Sequence, residues 1–255
     1  MTVRRVAAAL TALALTLTGC GGGSADRPAA GGKITVFAAA SLTETFTRLG
    51  KDFEAAHPGH RVTFNFAGSA ALATQLTQGA PADVFAAASP ATMRTVTAAG
   101  EAAGPPTVFA RNQLVIAVPK GNPRGVRGLA DLARPGVKVA LCAAQVPCGA
   151  AARTALDAAR VPLTPVTLEQ DVKGALAKVK LGEVDAALVY RTDTRAAADL
   201  AAVEFPESAG AVNDYPIVVL KRAADPADAT AFVDLVRSEA GRAVLTAAGF
   251  QAPPS

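Results

Sequence analysis

Histidine, tyrosine and cysteine are scarce: the 255 residues hold two, two and three of them. Each scarcity removes a class of chemistry. The histidines, His57 and His60, sit in His57-Pro58-Gly59-His60, whose Pro-Gly centre reads as a turn. A transition-metal site would need further ligands beside them or beside a cysteine pair, and the sequence offers none nearby. Ferric iron would call for paired tyrosines with acidic or His ligands. The chain has Tyr190 and Tyr215, and Tyr215 precedes Pro216 in a segment that reads as a chain crossing. No serine stands in a nucleophile-elbow pattern with a base in reach, and no phosphate-loop or dinucleotide fingerprint occurs. The chain is therefore read as a non-enzyme, with no cofactor and no direct protein ligand to a metal. Basic clusters interleaved with aromatics are also lacking, which excludes nucleic acid as a partner.

What is present at the start of the chain points to export. Arg4 and Arg5 precede residues 6–18 (VAAALTALALTLT), an uncharged apolar run with the length of a secretory leader. The run is shorter than the roughly 20 residues of a spanning helix. It ends in Leu17-Thr18-Gly19-Cys20, which resembles a bacterial lipobox in which Cys20 is acylated and residues 1–19 are removed. An acylated Cys20 would hold the chain at the outer surface of the cell membrane. Residues 20–32 are Gly, Ala, Pro and polar residues that cannot build a core, and read as a flexible tether. Formal charge is +4; the leader carries Arg4 and Arg5 and no acid, so its removal leaves two fewer positive charges, near +2. The two remaining cysteines, Cys142 and Cys148, are an even pair in an exported chain and read as a disulfide, with two buried thiols as the alternative.

From Lys33 onward, short apolar runs alternate with helix-like segments. Strands are expected over 34–38, 61–66, 83–87, 113–118, 137–141, 185–190 and 215–220. Helices are expected over 41–56, 69–78, 90–99, 149–160, 171–181, 192–201 and 226–248, the last broken near Gly241. Alternation of this kind implies an α/β fold with mainly parallel sheets. Gly104-Pro105-Pro106 and Asn213-Asp214-Tyr215-Pro216 look like crossings. They divide the chain into one lobe of residues 33–109 plus 215–255 and a second of residues 110–214. One continuous sheet is the alternative.

Ligands of open α/β sheets gather where strand ends meet helix starts. Four such junctions stand out. Ser41, with Glu44 three residues on, reads as a capping box, yet a helix start with a hydroxyl also offers donors to an anion. Gly68-Ser69 repeats that layout. Cys148 follows a strand and opens a helix near Gly149. Asp171 reads as the N-cap of a helix whose first N–H belongs to Val172, and the next strand ends at Tyr190. No junction brings an obvious cation to the ligand, and Lys173 reads as solvent-facing. Donors alone favour a fully deprotonated dianion, because a protonated one needs an acceptor.

At these residues the chain resembles the periplasmic molybdate-binding proteins of molybdate ABC importers. The resemblance is carried by VFAAASLTE (36–44), GSAALATQLTQGAPADVFAAAS (68–89), NQLVIAVPKGNP (112–123), VPCGAAAR (146–153), DVKGALAKVKLGEVDAALVY (171–190) and DYPIVVLK (214–221). It implies a two-lobed type II periplasmic-binding-protein fold, each lobe a mainly parallel sheet flanked by helices, joined by two crossover strands. It further implies that molybdate or tungstate is held as an oxyanion by the side chains of Ser41, Ser69 and Tyr190 and the N–H groups of Cys148 and Val172. The loaded protein, a monomer tethered outside the cell, would deliver the anion to an ABC importer permease. The same fold binding sulfate or thiosulfate is the alternative. Cys148 stands where the family often has Ala, and Ala70 where it often has a second Ser.

Overall fold

The computed structural model describes residues 31–254. The expected leader, the expected acylation site Cys20 and most of the expected tether lie outside them. The strands are β1 (Lys33–Ala39), β2 (Arg61–Ala67), β3 (Val84–Ala86), β4 (Thr107–Asn112), β5 (Leu114–Pro119), β6 (Val139–Cys142), β7 (Thr167–Glu169), β8 (Ala186–Tyr190), β9 (Leu200–Val203) and β10 (Asn213–Val219). The helices are α1 (Thr43–Ala56), α2 (Ser69–Thr77), α3 (Pro90–Ala98), α4 (Leu129–Leu132), α5 (Pro147–Ala159), α6 (Val172–Lys180), α7 (Arg191–Arg195), α8 (Pro226–Arg237) and α9 (Glu239–Ala248). No helix among the described residues is long and apolar enough to cross a membrane.

The strands form two five-stranded sheets, ordered β2-β1-β3-β10-β4 and β7-β6-β8-β5-β9, each flanked by helices. The first shows why its strands read as unbroken apolar runs. Side chains alternate across a strand, and in β1 both faces are covered. Ile34, Val36 and Ala38 join one apolar cluster, and Phe37 on the other face joins a second. Helix α1 presents Phe46, Leu49 and Phe53 to the first cluster, at the spacing of one helical face. On the far side α2 and α3 supply Leu72, Leu76, Met93 and Val96.

The α/β, two-lobed expectation stands, with changes in detail. The sheets are mixed rather than mainly parallel. In the first, β1 runs parallel to β2 and β3, while β10 is antiparallel to β3 and β4. In the second, β6 runs parallel to β7 and β8, while β5 is antiparallel to β8 and β9. The antiparallel members are the strands that enter or leave a lobe. The helix expected over 192–201 ends at Arg195, and Leu200–Val203 becomes β9 instead. Pairing of Val203 and Ala202 with Ile116 and Ala117 overrides the helical preference of the alanine-rich run. The helical stretch 226–248 breaks at Ser238, whose hydroxyl accepts from the Gly241 N–H.

The chain passes between sheets at Gln113, joining β4 to β5, and at Val212, just before β10. These passages lie a few residues inside the boundaries read from sequence. The two passing strands pair with each other, Asn112 opposite Asn213 and Arg111 opposite Asp214.

Phe46 ties the first lobe together. Its ring lies 5.8 Å from Phe109, 5.9 Å from Phe232 and 6.3 Å from Phe64, centroid to centroid. Phe46→Ala is expected to lower stability by about 3–5 kcal/mol, read from the midpoint of urea denaturation at unchanged slope.

Candidate functional site

Three mutually parallel strands in each lobe end at the same cleft. β1 leads into Ser41, β2 into Ser69, and the segment after β3 supplies Ala88. Across from them, β6 leads into Cys148, β7 into Val172, and β8 ends at Tyr190. All five residues singled out in the sequence, Ser41, Ser69, Cys148, Val172 and Tyr190, are buried and line this one cleft. Among the described residues, no Lys, Arg or His side chain lines it. The lining acid, Asp171, has one carboxylate oxygen accepting from the Gly174 N–H at 3.0 Å, as the N-cap of α6. Cys148 is the second residue of α5 and Val172 the first of α6. Their N–H groups therefore precede the helical hydrogen-bond ladder and face outward from the helix start.

Neither serine is a helix cap, contrary to the sequence pattern. Ser41 lies within a single 3-10 turn, residues 40–42, and its hydroxyl is 2.9 Å from that of Tyr215. Glu44, the expected partner in a capping box, turns away to Lys173. Ser69 is the first residue of α2, and its oxygen accepts from the Ala88 N–H at 3.0 Å. Tyr190 accepts from the Asn213 side-chain amide, also at 2.9 Å. That amide also donates to the Ala88 carbonyl at 2.7 Å, so it touches both lobes. Burial holds the Tyr190 phenol well above its ordinary pKa, and the Tyr215 phenol is raised for the same reason. Both stay neutral and able to donate.

The expected disulfide is present: Cys142 and Cys148 are joined, with Cα atoms 5.8 Å apart. It ties the end of β6 to the first turn of α5. The lobes also meet closely. A Cβ on Gly68 would fall inside contact distance of the Gln170 carbonyl, so glycine is what lets the first lobe approach the second here.

Lys173 does not face solvent as the sequence implied. Its ammonium reaches across the lobes to Glu44 at 2.7 Å and back to the wholly buried Asp193 at 3.2 Å. Asp193 in turn accepts from the Tyr190 N–H at 3.1 Å. Burial lowers the pKa of Lys173, but the two carboxylates more than offset it, and the net shift is upward. At Asp193 burial dominates over the attraction of Lys173 and raises the carboxyl to about 6. The Lys173 ammonium is thus occupied by acids. Asn213, Tyr215 and Asp193 were not identified from sequence as part of this arrangement, because each acts through residues far along the chain or through burial.

The Asp193 shift carries a sign. Its folded pKa lies above the unfolded one, so its stabilising contribution is complete below the ordinary carboxyl pKa and is lost as pH rises through about 6. The stability of the wild type relative to Asp193→Asn is expected to fall by about 2–3 kcal/mol between about pH 4 and pH 7. A denaturation series over that range reads it, and a flat difference would contradict the shift.

The chain matches the family model for bacterial extracellular solute-binding proteins over residues 34–251. It is 49% identical over 243 residues to the molybdate-binding protein ModA of Mycobacterium tuberculosis (strain ATCC 25618 / H37Rv), covering 93% of each chain. In structure it is similar to the periplasmic molybdate-binding protein of Azotobacter vinelandii, with a TM-score of 0.73 at 22% identity, covering 87% of this chain and 100% of that one. It is likewise similar to the sulfate-binding protein SubI of Mycobacterium tuberculosis H37Rv, with a TM-score of 0.76 at 19% identity, covering 87% of each. At such identities the two structural likenesses speak to the fold alone. The chain belongs to the bacterial extracellular solute-binding protein family.

Proposed function

We propose that this protein captures molybdate, and tungstate with it, in the cleft between its lobes and delivers the anion to an ABC importer. The observation that carries this reading is the convergence of hydroxyl and helix-start N–H donors on one buried cleft whose lining holds no cationic side chain. Such a lining fits a tetrahedral dianion. Each side of the anion can meet a hydrogen bond, and helix starts add a partial positive charge without the desolvation of a fixed cation. The ligand set is Ser41, Ser69 and Tyr190 by side chain, and Cys148 and Val172 by backbone. The 49%-identical ModA relative supports molybdate as the oxyanion over sulfate and thiosulfate. No catalytic role is assigned, since the hydroxyls lie against donors or another hydroxyl rather than a base. We assign the site of action to the outer face of the membrane, with the mature chain held as a monomer by acylated Cys20 after removal of residues 1–19.

Melting of the purified protein with molybdate, tungstate, sulfate, phosphate and ferric citrate tests the ligand class. A ligand of the folded state raises stability by about 2.7 kcal/mol at a hundredfold excess over its dissociation constant. Molybdate and tungstate are expected to give large shifts and sulfate little; a shift with sulfate alone would reassign the transporter.

Ser41→Ala, Ser69→Ala and Tyr190→Phe are each expected to weaken molybdate binding by about 1.5–3 kcal/mol, the range for a hydrogen bond to a charged group. Isothermal titration reads it, and wild-type affinity in all three variants would remove this site. Gly68→Ala, which props the lobes apart at Gln170, is expected to weaken binding and to abolish the compaction that molybdate produces in the wild type, seen by small-angle scattering.

A further inference from the structure

We propose that the Cys142–Cys148 disulfide is a specificity-determining element of the cleft: it keeps the first turn of α5, and with it the Cys148 N–H, from following a smaller anion inward, and so sharpens the preference for molybdate over sulfate. The proposal rests on the oxyanion reading of the cleft and adds a size filter to it.

The residues of the cleft are secured in different ways. The Ser69 hydroxyl is held by the Ala88 N–H, the Tyr190 hydroxyl by the Asn213 amide, and the Ser41 hydroxyl lies against that of Tyr215. Helix α6, which presents Val172, is capped by the Asp171 carboxylate. Helix α5, which presents Cys148, has no side-chain hydrogen bond at its N-cap, Val146, among the described residues. A helix start without a cap is held less firmly, since its leading N–H groups have no partner within the helix. The disulfide stands in place of the cap. Cys142 ends β6, which lies between β7 and β8, and is paired there with Glu169 of β7. Cys148 follows six positions on, as the second residue of α5. The loop between them folds back on the helix start. The Val146 N–H donates to the Ala143 carbonyl at 3.0 Å, and a Cβ on Gly149 would collide with that same carbonyl. Both cysteines are buried.

Molybdate and tungstate are larger tetrahedra than sulfate. Closure of the lobes moves the second lobe as one body, so it cannot repair a misfit at a single donor of that lobe. A donor tied covalently to the sheet cannot advance on its own either. A smaller anion that meets the other donors therefore leaves the Cys148 N–H without a partner, at a cost on the scale of the hydrogen bond itself. Freed of the disulfide, the turn gains the slack to close on sulfate, and both anions then bear the entropy of ordering it. That cost is common to the two, whereas the recovered hydrogen bond belongs to sulfate alone. The bond thus acts on the ratio of the affinities.

The test measures dissociation constants for molybdate and sulfate by titration calorimetry in three samples. These are the wild type, the double variant Cys142→Ala with Cys148→Ala, and the wild type reduced by a small dithiol and then freed of it under nitrogen. In the reduction the dithiol closes to a cyclic disulfide and the two cysteines become thiols, so no residue is replaced. The molybdate-over-sulfate ratio is expected to fall by about tenfold or more in the variant and in the reduced protein, the scale of one hydrogen bond to a charged group. Reoxidation of the reduced protein is expected to restore it. A bond that only stabilised the lobe would lower the melting temperature and weaken both anions alike. An unchanged ratio in both samples therefore overturns the proposal while the oxyanion reading stands, and so does loss of the fold in both. A wild type with no preference for molybdate over sulfate overturns the molybdate reading and the proposal together.

Discussion

Parallel pairing of β1 with β2 and β3, and of β6 with β7 and β8, is the constraint on which the cleft depends. Parallel neighbours end on the same side of a sheet, so each lobe sends three chain turns to one edge. Short helices or helical turns begin there, and their leading N–H groups have no partner within the helix. With the two edges facing, donors from five of the six turns meet without any side chain having to cross a long distance. The antiparallel strands β5 and β10 serve a different end: each brings the chain into a lobe from the other one.

Charge around the cleft follows the same economy. Lys173, next to the cleft residue Val172, is held between Glu44 of the first lobe and the buried Asp193 of the second. A free ammonium in that place would attract anions of every kind and would pull water in with it. Paired, it instead fixes α6 and α7 of the second lobe against α1 of the first. Asp193 also takes the Tyr190 N–H, so the backbone of a cleft residue is positioned by the group that neutralises the cation.

Much of this was legible in the sequence, and the limits are instructive. Ser41, Ser69, Cys148, Val172 and Tyr190 could be read because each sits where an apolar run gives way to small residues or a helix start, which is local information. The capping-box reading of Ser41 and Glu44 failed because both side chains found stronger partners elsewhere: Tyr215, 174 residues along the chain, and Lys173. Asn213 was read only as part of a chain crossing, since an amide that reaches Ala88 and Tyr190 leaves no mark on its neighbours in sequence. β9 was missed because Leu200–Val203 is short and alanine-rich, and only its pairing with β5 makes it a strand. The mixed sheets were missed because a buried strand looks alike whichever way its neighbour runs.

The two passages between lobes are paired to each other, with Asn112 opposite Asn213 at the lobe boundary. Two independent tethers would let one lobe swivel and slide over the other. A hydrogen-bonded ribbon resists both and yields mainly by bending across its face, leaving the lobes a single axis of opening. On that axis the first residues of β10 lie at the spine, where displacement is least. Asn213, whose amide bridges the Ala88 carbonyl of one lobe and the Tyr190 hydroxyl of the other, therefore stays nearly still while the walls swing.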